Sequence, residues 1–254
     1  MSAKNLIGRG YAMIGMAGMT AAVVATSMAL PGGASAQPHS SRTAPALSRS
    51  VSVKSAVAAS DEFAGYLATP ANGFASASTT FVVPTESSCS DTYDSLSLVF
   101  GVITNDLSTE AGIYEYCDNT TPVYDYLAET PAGVIEQPAT PGDTVVASMF
   151  ETGKWTQAEV HDITNGQHWV GTYSAGGTDT TVGIGVLSEF APPVIPFSTT
   201  TMSVDQVNGD YLGFESPEQL KLTASGDNSN QTLVTSGALT AHGSSFRLTF
   251  KQSD

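Results

Sequence analysis

Six glutamates, Glu110, Glu115, Glu129, Glu151, Glu159 and Glu189, fall within stretches where apolar and polar residues alternate. Two carboxyl groups on adjoining strands can share a proton and serve a water molecule first as general base and then as general acid. That is the chemistry by which carboxyl-dependent hydrolases cleave peptide or glycosidic bonds. Other hydrolytic signatures are missing: the sequence has no G-x-S-x-G elbow, no H-E-x-x-H and no C-x-x-C. His161, Asp162 and His168 could gather round a metal, but a strand-end histidine beside a glycine-containing turn is more often plain surface, so neither metal nor cofactor is expected. Carboxylates in an acidic chain also commonly do no more than face solvent. The glutamates therefore need elements that bring particular pairs together.

Those elements read as strands. From residue 61 onward, short alternating runs are separated by Gly, Pro, Asn, Asp and Ser clusters, and no window carries a sustained helical period. Strands are predicted near residues 65–68, 76–83, 95–103, 109–116, 123–129, 144–151, 155–163, 181–189, 199–207, 220–223, 232–239 and 245–250. So many short strands fit an all-β fold of two large antiparallel sheets packed face to face. Alternation also assigns faces. Leu96, Leu98, Phe100 and Val102 read as core, which puts Val99, Gly101 and Ile103 on the opposite face. Glu110, Gly112, Tyr114 and Tyr116 share one face of the next run, and Gly183, Gly185, Leu187 and Glu189 share one face of a later run. Glycine beside a carboxylate marks where backbone or ligand can approach closely. Tyr114, Tyr116, Tyr124 and Tyr126 either line a groove or form cross-strand aromatic pairs.

The 254-residue chain is 41% hydrophobic and 13% charged, too apolar for a disordered polymer. All 24 acidic residues follow residue 60, where only Lys154, Lys221, Arg247 and Lys251 oppose them. Such a surface repels phosphate backbones and anionic lipid, which argues against nucleic-acid and membrane-surface partners. Residues 1–36 read as an export signal, with Lys4 and Arg9 before an apolar stretch and Ala34-Ser35-Ala36 as the cleavage site. Residues 37–60 hold no acidic and no aromatic residue and read as a flexible basic prosegment or linker. The expectation is a secreted, extracellular monomer with one domain over residues 61–254 and no stable membrane association once the signal is removed. An exported chain with two cysteines invites one disulfide, between Cys89 and Cys117.

Taken in order, FAGYLATPANGFASASTTFVVPTESSC, SLSLVFGVITN, STEAGIYEYC, PVYDYLAETP, PGDTVVASM and IGVLSEFAPP resemble a bacterial glutamic peptidase (eqolisin), with similar gaps, from about Phe63 to Val207. The resemblance implies a concanavalin-like sandwich, secretion, and hydrolysis of a protein or peptide substrate in acid through a Gln and Glu pair. Its Q-x-G step falls on Glu110-Ala111-Gly112, so Glu110 replaces the catalytic Gln. The E-W-I-x-E strand falls on residues 185 to 189 and puts the catalytic Glu at Glu189. The W-V-G-[IL]-D-G cleft segment falls on residues 99 to 104, losing its Trp and its Asp to Val99 and Ile103. The W-Y-E of the substrate pocket falls on Tyr126-Leu127-Ala128, or on Glu129 after a one-residue slip. Tyr114 and Tyr126, with Val99 and Ile103, are the expected substrate contacts.

In the mechanism so implied, Glu189 deprotonates water and then protonates the departing amine, while its partner donates a hydrogen bond to the oxyanion. Glu110 can donate only when protonated, because an ionised carboxylate only accepts. Two adjacent carboxyl groups retain a shared proton in acid, which confines activity to acid conditions. Two other classes fit the same residues: a noncatalytic relative that grips peptide or carbohydrate in the groove, and a glycoside hydrolase using Glu110 and Glu189.

Overall fold

The computed structural model describes residues 57–85, 96–104, 109–118, 120–174, 181–188, 194–224, 231–240 and 243–252. The expected export signal, nearly all of the basic segment, Cys89 and Glu189 lie outside the described residues.

Among the described residues fifteen strands follow one another. They begin with β1 (Ala58–Ser60), β2 (Phe63–Ala68), β3 (Ser76–Val82), β4 (Ser97–Thr104) and β5 (Glu110–Asp118). Next come β6 (Thr121–Thr130), β7 (Gly133–Pro138), β8 (Thr144–Glu151), β9 (Thr156–Asp162) and β10 (Gln167–Tyr173). The chain ends with β11 (Val182–Ser188), β12 (Thr200–Val207), β13 (Glu218–Thr223), β14 (Thr232–Ser236) and β15 (Ser245–Phe250). Apart from 3-10 geometry at Leu212–Glu215 and at Gly243, all regular structure among the described residues is β. The fold is the expected all-β sandwich.

Its two layers belong to one continuous ladder, in the order β10-β9-β8-β3-β12-β15-β14-β13-β2-β11-β4-β5-β6-β7. Every pairing along that path is antiparallel, and β1 adds to β13 in parallel. The ladder folds over on itself, so that β5 packs across β8 and β9, β6 across β9 and β10, and the two end strands β7 and β10 come together. One-sided alternation explains the packing: Phe81, Phe100, Ile113, Met149, Ile184 and Met202 all point into the space between the layers and are buried. The T-shaped pair Phe100 and Phe197, 4.9 Å between centroids, is part of that core.

Three strands were not anticipated. The ladder ends β7 (GVIEQP) and β10 (QHWVGTY) are exposed along most of their length, so they show little of the buried alternation that marks an internal strand. Ala58–Ser60, the last residues of the stretch that composition reads as a tether, form β1.

A polar staple holds β6 in place between the layers. The Tyr126 hydroxyl donates to Asp162 Oδ2 at 2.6 Å, and Asn165 Nδ2 donates to both Asp162 Oδ2 (2.6 Å) and Asp143 Oδ2 (2.9 Å). The amides of Thr164 and Asn165 donate to the other Asp162 oxygen. Burial by itself would raise the Asp162 pKa, but these donors outweigh it and hold the carboxyl below its ordinary value. Its contribution to stability is therefore present above the ordinary aspartate range and is lost as pH falls through the depressed folded value. Tyr126→Phe removes one donor from a fully buried carboxylate and should cost about 1–3 kcal/mol at pH 6. Urea unfolding at a series of pH values checks this: the difference from wild type should shrink in strong acid.

Candidate functional site

The strands β11, β4, β5 and β6 lie side by side and turn one face to the core and the other away from it. Directly opposed residues on antiparallel neighbours point the same way, with Cβ atoms about 5 Å apart, so the register lays out the outward face in rows. In one row Gly183 pairs with Ile103, Ile103 with Glu110, and Glu110 with Glu129. Two carboxyl-bearing side chains thus stand next to each other. In the next row Gly65, Gly185, Gly101 and Gly112 follow in register across β2, β11, β4 and β5, and Leu127 comes after them on β6. A third row holds Phe63, Leu187, Val99, Tyr114 and Asp125.

The glycine row is required by the backbone. Gly101 and Gly112 oppose each other at φ of 157° and 159°, a conformation that L side chains rarely adopt. A Cβ on Gly101 would collide with the Ala111 carbonyl oxygen, and one on Gly112 with that of Phe100. Side-chain-free backbone therefore crosses four strands beside Glu110. Part of the space above it is filled by the Phe63 ring, whose Cζ lies 2.9 Å from where a Cβ on Gly185 would be.

Around this floor Phe63, Val99, Ile103, Leu127, Leu187 and Leu220 form a second hydrophobic cluster, separate from the main core, with Tyr114 packed against it. Val99 and Ile103 have the face that alternation gave them and are packed into this cluster at 0% and 3% exposure. Glu110, at 3% exposure, is set into the same face. Tyr114 and Tyr116 lie along it with ring centroids 5.2 Å apart.

Tyr126 is a correction. Expected as a substrate contact, it pairs with Ile113 on the core side, is 1% exposed, and stacks on Trp169 at 4.3 Å. Its hydroxyl finds its partners there, in Asp162 and Asn165's neighbour Asp143, which makes the interior position a satisfied one. Tyr124 is in the same core. The remaining glutamates also separate: Glu115 and Glu151 are buried on the core side, whereas Glu159 accepts from His168 Nε2 at 2.7 Å on the outer surface of β9 and β10. Asp162 turns inward while His161 and His168 lie outside, 5.7 Å apart, so these three do not converge. Among the described residues no group of three or more His, Cys, Asp or Glu is arranged to hold a metal ion. Cys117 is buried on β5, and its expected partner Cys89 lies outside the described residues, as does Glu189.

Two acidic residues gain significance that sequence reading gave them only in part or not at all. Glu129, one of six candidate glutamates and otherwise placed near the substrate pocket only by a one-residue slip, is the direct cross-strand neighbour of Glu110. Asp125 stands on the same face opposite Tyr114, and burial raises its carboxyl pKa above the ordinary value. The signal for both was present in β6, where residues 125, 127 and 129 must share a face. The negative field of this face shows in Tyr116, whose phenol is raised first by burial and then by Asp125, Glu136 and Asp118.

No family model matches the sequence, and no curated protein matches it. Solved structures do. Scytalido-glutamic peptidase with a transition-state analogue inhibitor matches with a TM-score of 0.57 and 17% identity, over 75% of this chain and 98% of the peptidase. SCP-B, a member of the eqolisin family of peptidases solved with the tripeptide Ala-Ile-His, matches with a TM-score of 0.56 and 16% identity over the same shares. At that identity the likeness is one of fold.

Proposed function

We propose that the protein is a secreted, acid-acting endopeptidase in which Glu110 and Glu189 form the carboxyl pair that activates water. The observation that carries the reading is the placement of Glu110, sunk into the outward face beside a floor of bare backbone where an extended peptide can approach closely. The likeness to two peptidases over nearly their whole length supports it. Glu189 takes the water proton and passes it to the leaving amine, and protonated Glu110 donates to the oxyanion. Glu129 adds a reason for acid dependence, because two carboxylates directly opposite each other repel and a proton between them relieves the repulsion. The disulfide from Cys89 to Cys117 and release of the basic segment 37–60 belong to the same proposal.

Cleavage of a denatured protein between pH 2 and pH 7 tests it. Wild type should cleave in acid, and Glu189→Gln should lose about 10²–10⁴-fold, the usual contribution of a positioned acid or base. Glycan hydrolysis that is abolished by the same variant would establish the glycosidase instead. Absence of hydrolysis on both substrates would leave a binding protein.

A further inference from the structure

A concavity of about 200 Å³ opens on the same face as Glu110, walled by Phe63, Leu67, Ile103, Leu187 and Leu220. Ile103 is the direct cross-strand neighbour of Glu110, so this hollow begins one strand away from the proposed reacting carboxyl. Its size is decisive. Sites for whole small molecules usually run from about 300 to 1,000 Å³, so this one is suited to a single side chain.

The rim has a different character from the walls. Glu62 lines the opening, and its main chain is fixed from both sides: its amide donates to Ser60 Oγ at 3.2 Å, and its carbonyl accepts from the Ser188 amide at 2.7 Å. Glu218 lies directly opposite Leu67, which places a second carboxylate on the same side of the sheet. Neither glutamate has an ion-pair partner among the described residues. An apolar shaft with Glu62 at its opening and Glu218 on the strand beside Leu67 complements a side chain that buries a hydrocarbon stem and keeps a cation at the surface.

We propose that this hollow is a specificity pocket that takes a lysine or arginine side chain of the substrate, with the stem against Leu67, Ile103 and Leu220 and the charged end at Glu62 and Glu218. As a substrate pocket it rests on the peptidase reading, but side-chain recognition can be measured without any cleavage. Three short fluorescent peptides that differ only in a central lysine, norleucine or glutamate are titrated into the full chain at pH 6 and low salt, with anisotropy as the readout. Norleucine keeps the stem and lacks the charge. The lysine peptide should bind roughly five- to tenfold tighter than norleucine, the span of one or two solvent-accessible ion pairs, and glutamate weakest. In the double variant Glu62→Gln, Glu218→Gln, lysine should fall to the norleucine level. Leu67→Trp should weaken both by blocking the shaft.

Equal affinity for lysine and norleucine, a lysine preference that survives the double variant, or no binding of any peptide would each overturn the pocket. Hydrolysis is scored separately. Lysine preference without cleavage at any pH would sink the peptidase and keep the pocket, whereas cleavage without lysine preference would do the reverse.

Discussion

At pH 7, Glu110→Gln should cleave denatured protein faster than wild type, by up to about 10²-fold, while in acid the two should lie within a few-fold of each other. The reason is the donor count at the oxyanion. An amide donates at every pH, and a carboxyl group donates only while it holds its proton. Missing one oxyanion donor typically costs 10²–10³ in turnover, so wild type should fall steeply as its pair ionises, and the amide variant should not. Substitution also removes one of two directly opposed acidic groups, since Glu129 faces Glu110 across β5 and β6. The pH–rate profiles of wild type, Glu110→Gln and Glu110→Ala are the measurement. Glu110→Ala should be impaired throughout, because it supplies no donor at all. If the amide variant tracks wild type across the whole range, Glu110 is not the oxyanion partner.

Gly112→Ala should destabilise the domain severely. It introduces a Cβ where the Phe100 carbonyl already stands, at a φ of 159°. The conformational penalty alone is about 1–3 kcal/mol, and the collision can be relieved only by separating β4 from β5. A loss of about 4 kcal/mol or more is expected, a large share of the 5–15 kcal/mol that a domain usually has. Gly153 serves as the control, since a Cβ there meets nothing within 4 Å, and Gly153→Ala should stay within about 0.5 kcal/mol of wild type. Thermal unfolding followed by circular dichroism reads both. A Gly112→Ala protein that melts beside wild type would mean that these strands are farther apart in solution.

Much of the architecture was legible in the chain. Residues 144–151 and 245–250 were predicted to the residue as β8 and β15, because each has one buried face and a clear break on either side. β7 and β10 escaped notice for the opposite reason: at the ends of the ladder they bury too little to imprint a pattern, and Pro138 and Gly171 argue against strand. In β4 the two faces were assigned correctly, and on the outward one Val99 and Ile103 pack into a second cluster, with Ile103 also walling the concavity beside it. β6 was harder. Tyr124, Tyr126 and Ala128 on one side and Asp125, Leu127 and Glu129 on the other both mix apolar with polar atoms, so hydrophobicity does not say which side is interior.

The sequence alone determined strand content, the division of most strands into two faces, and the placing of Glu110 and Gly112 on one of them. These are local properties, set by the two-residue period of extended backbone. Which acidic residue stands opposite Glu110, which tyrosine is swallowed by the core, and where a hollow opens on the same face were decided by the tertiary structure. Register and layer packing join residues far apart in the chain, as when Tyr126 on β6 reaches Asp162 on β9, and such choices are settled by whole-domain burial and hydrogen bonding rather than by any neighbour in sequence.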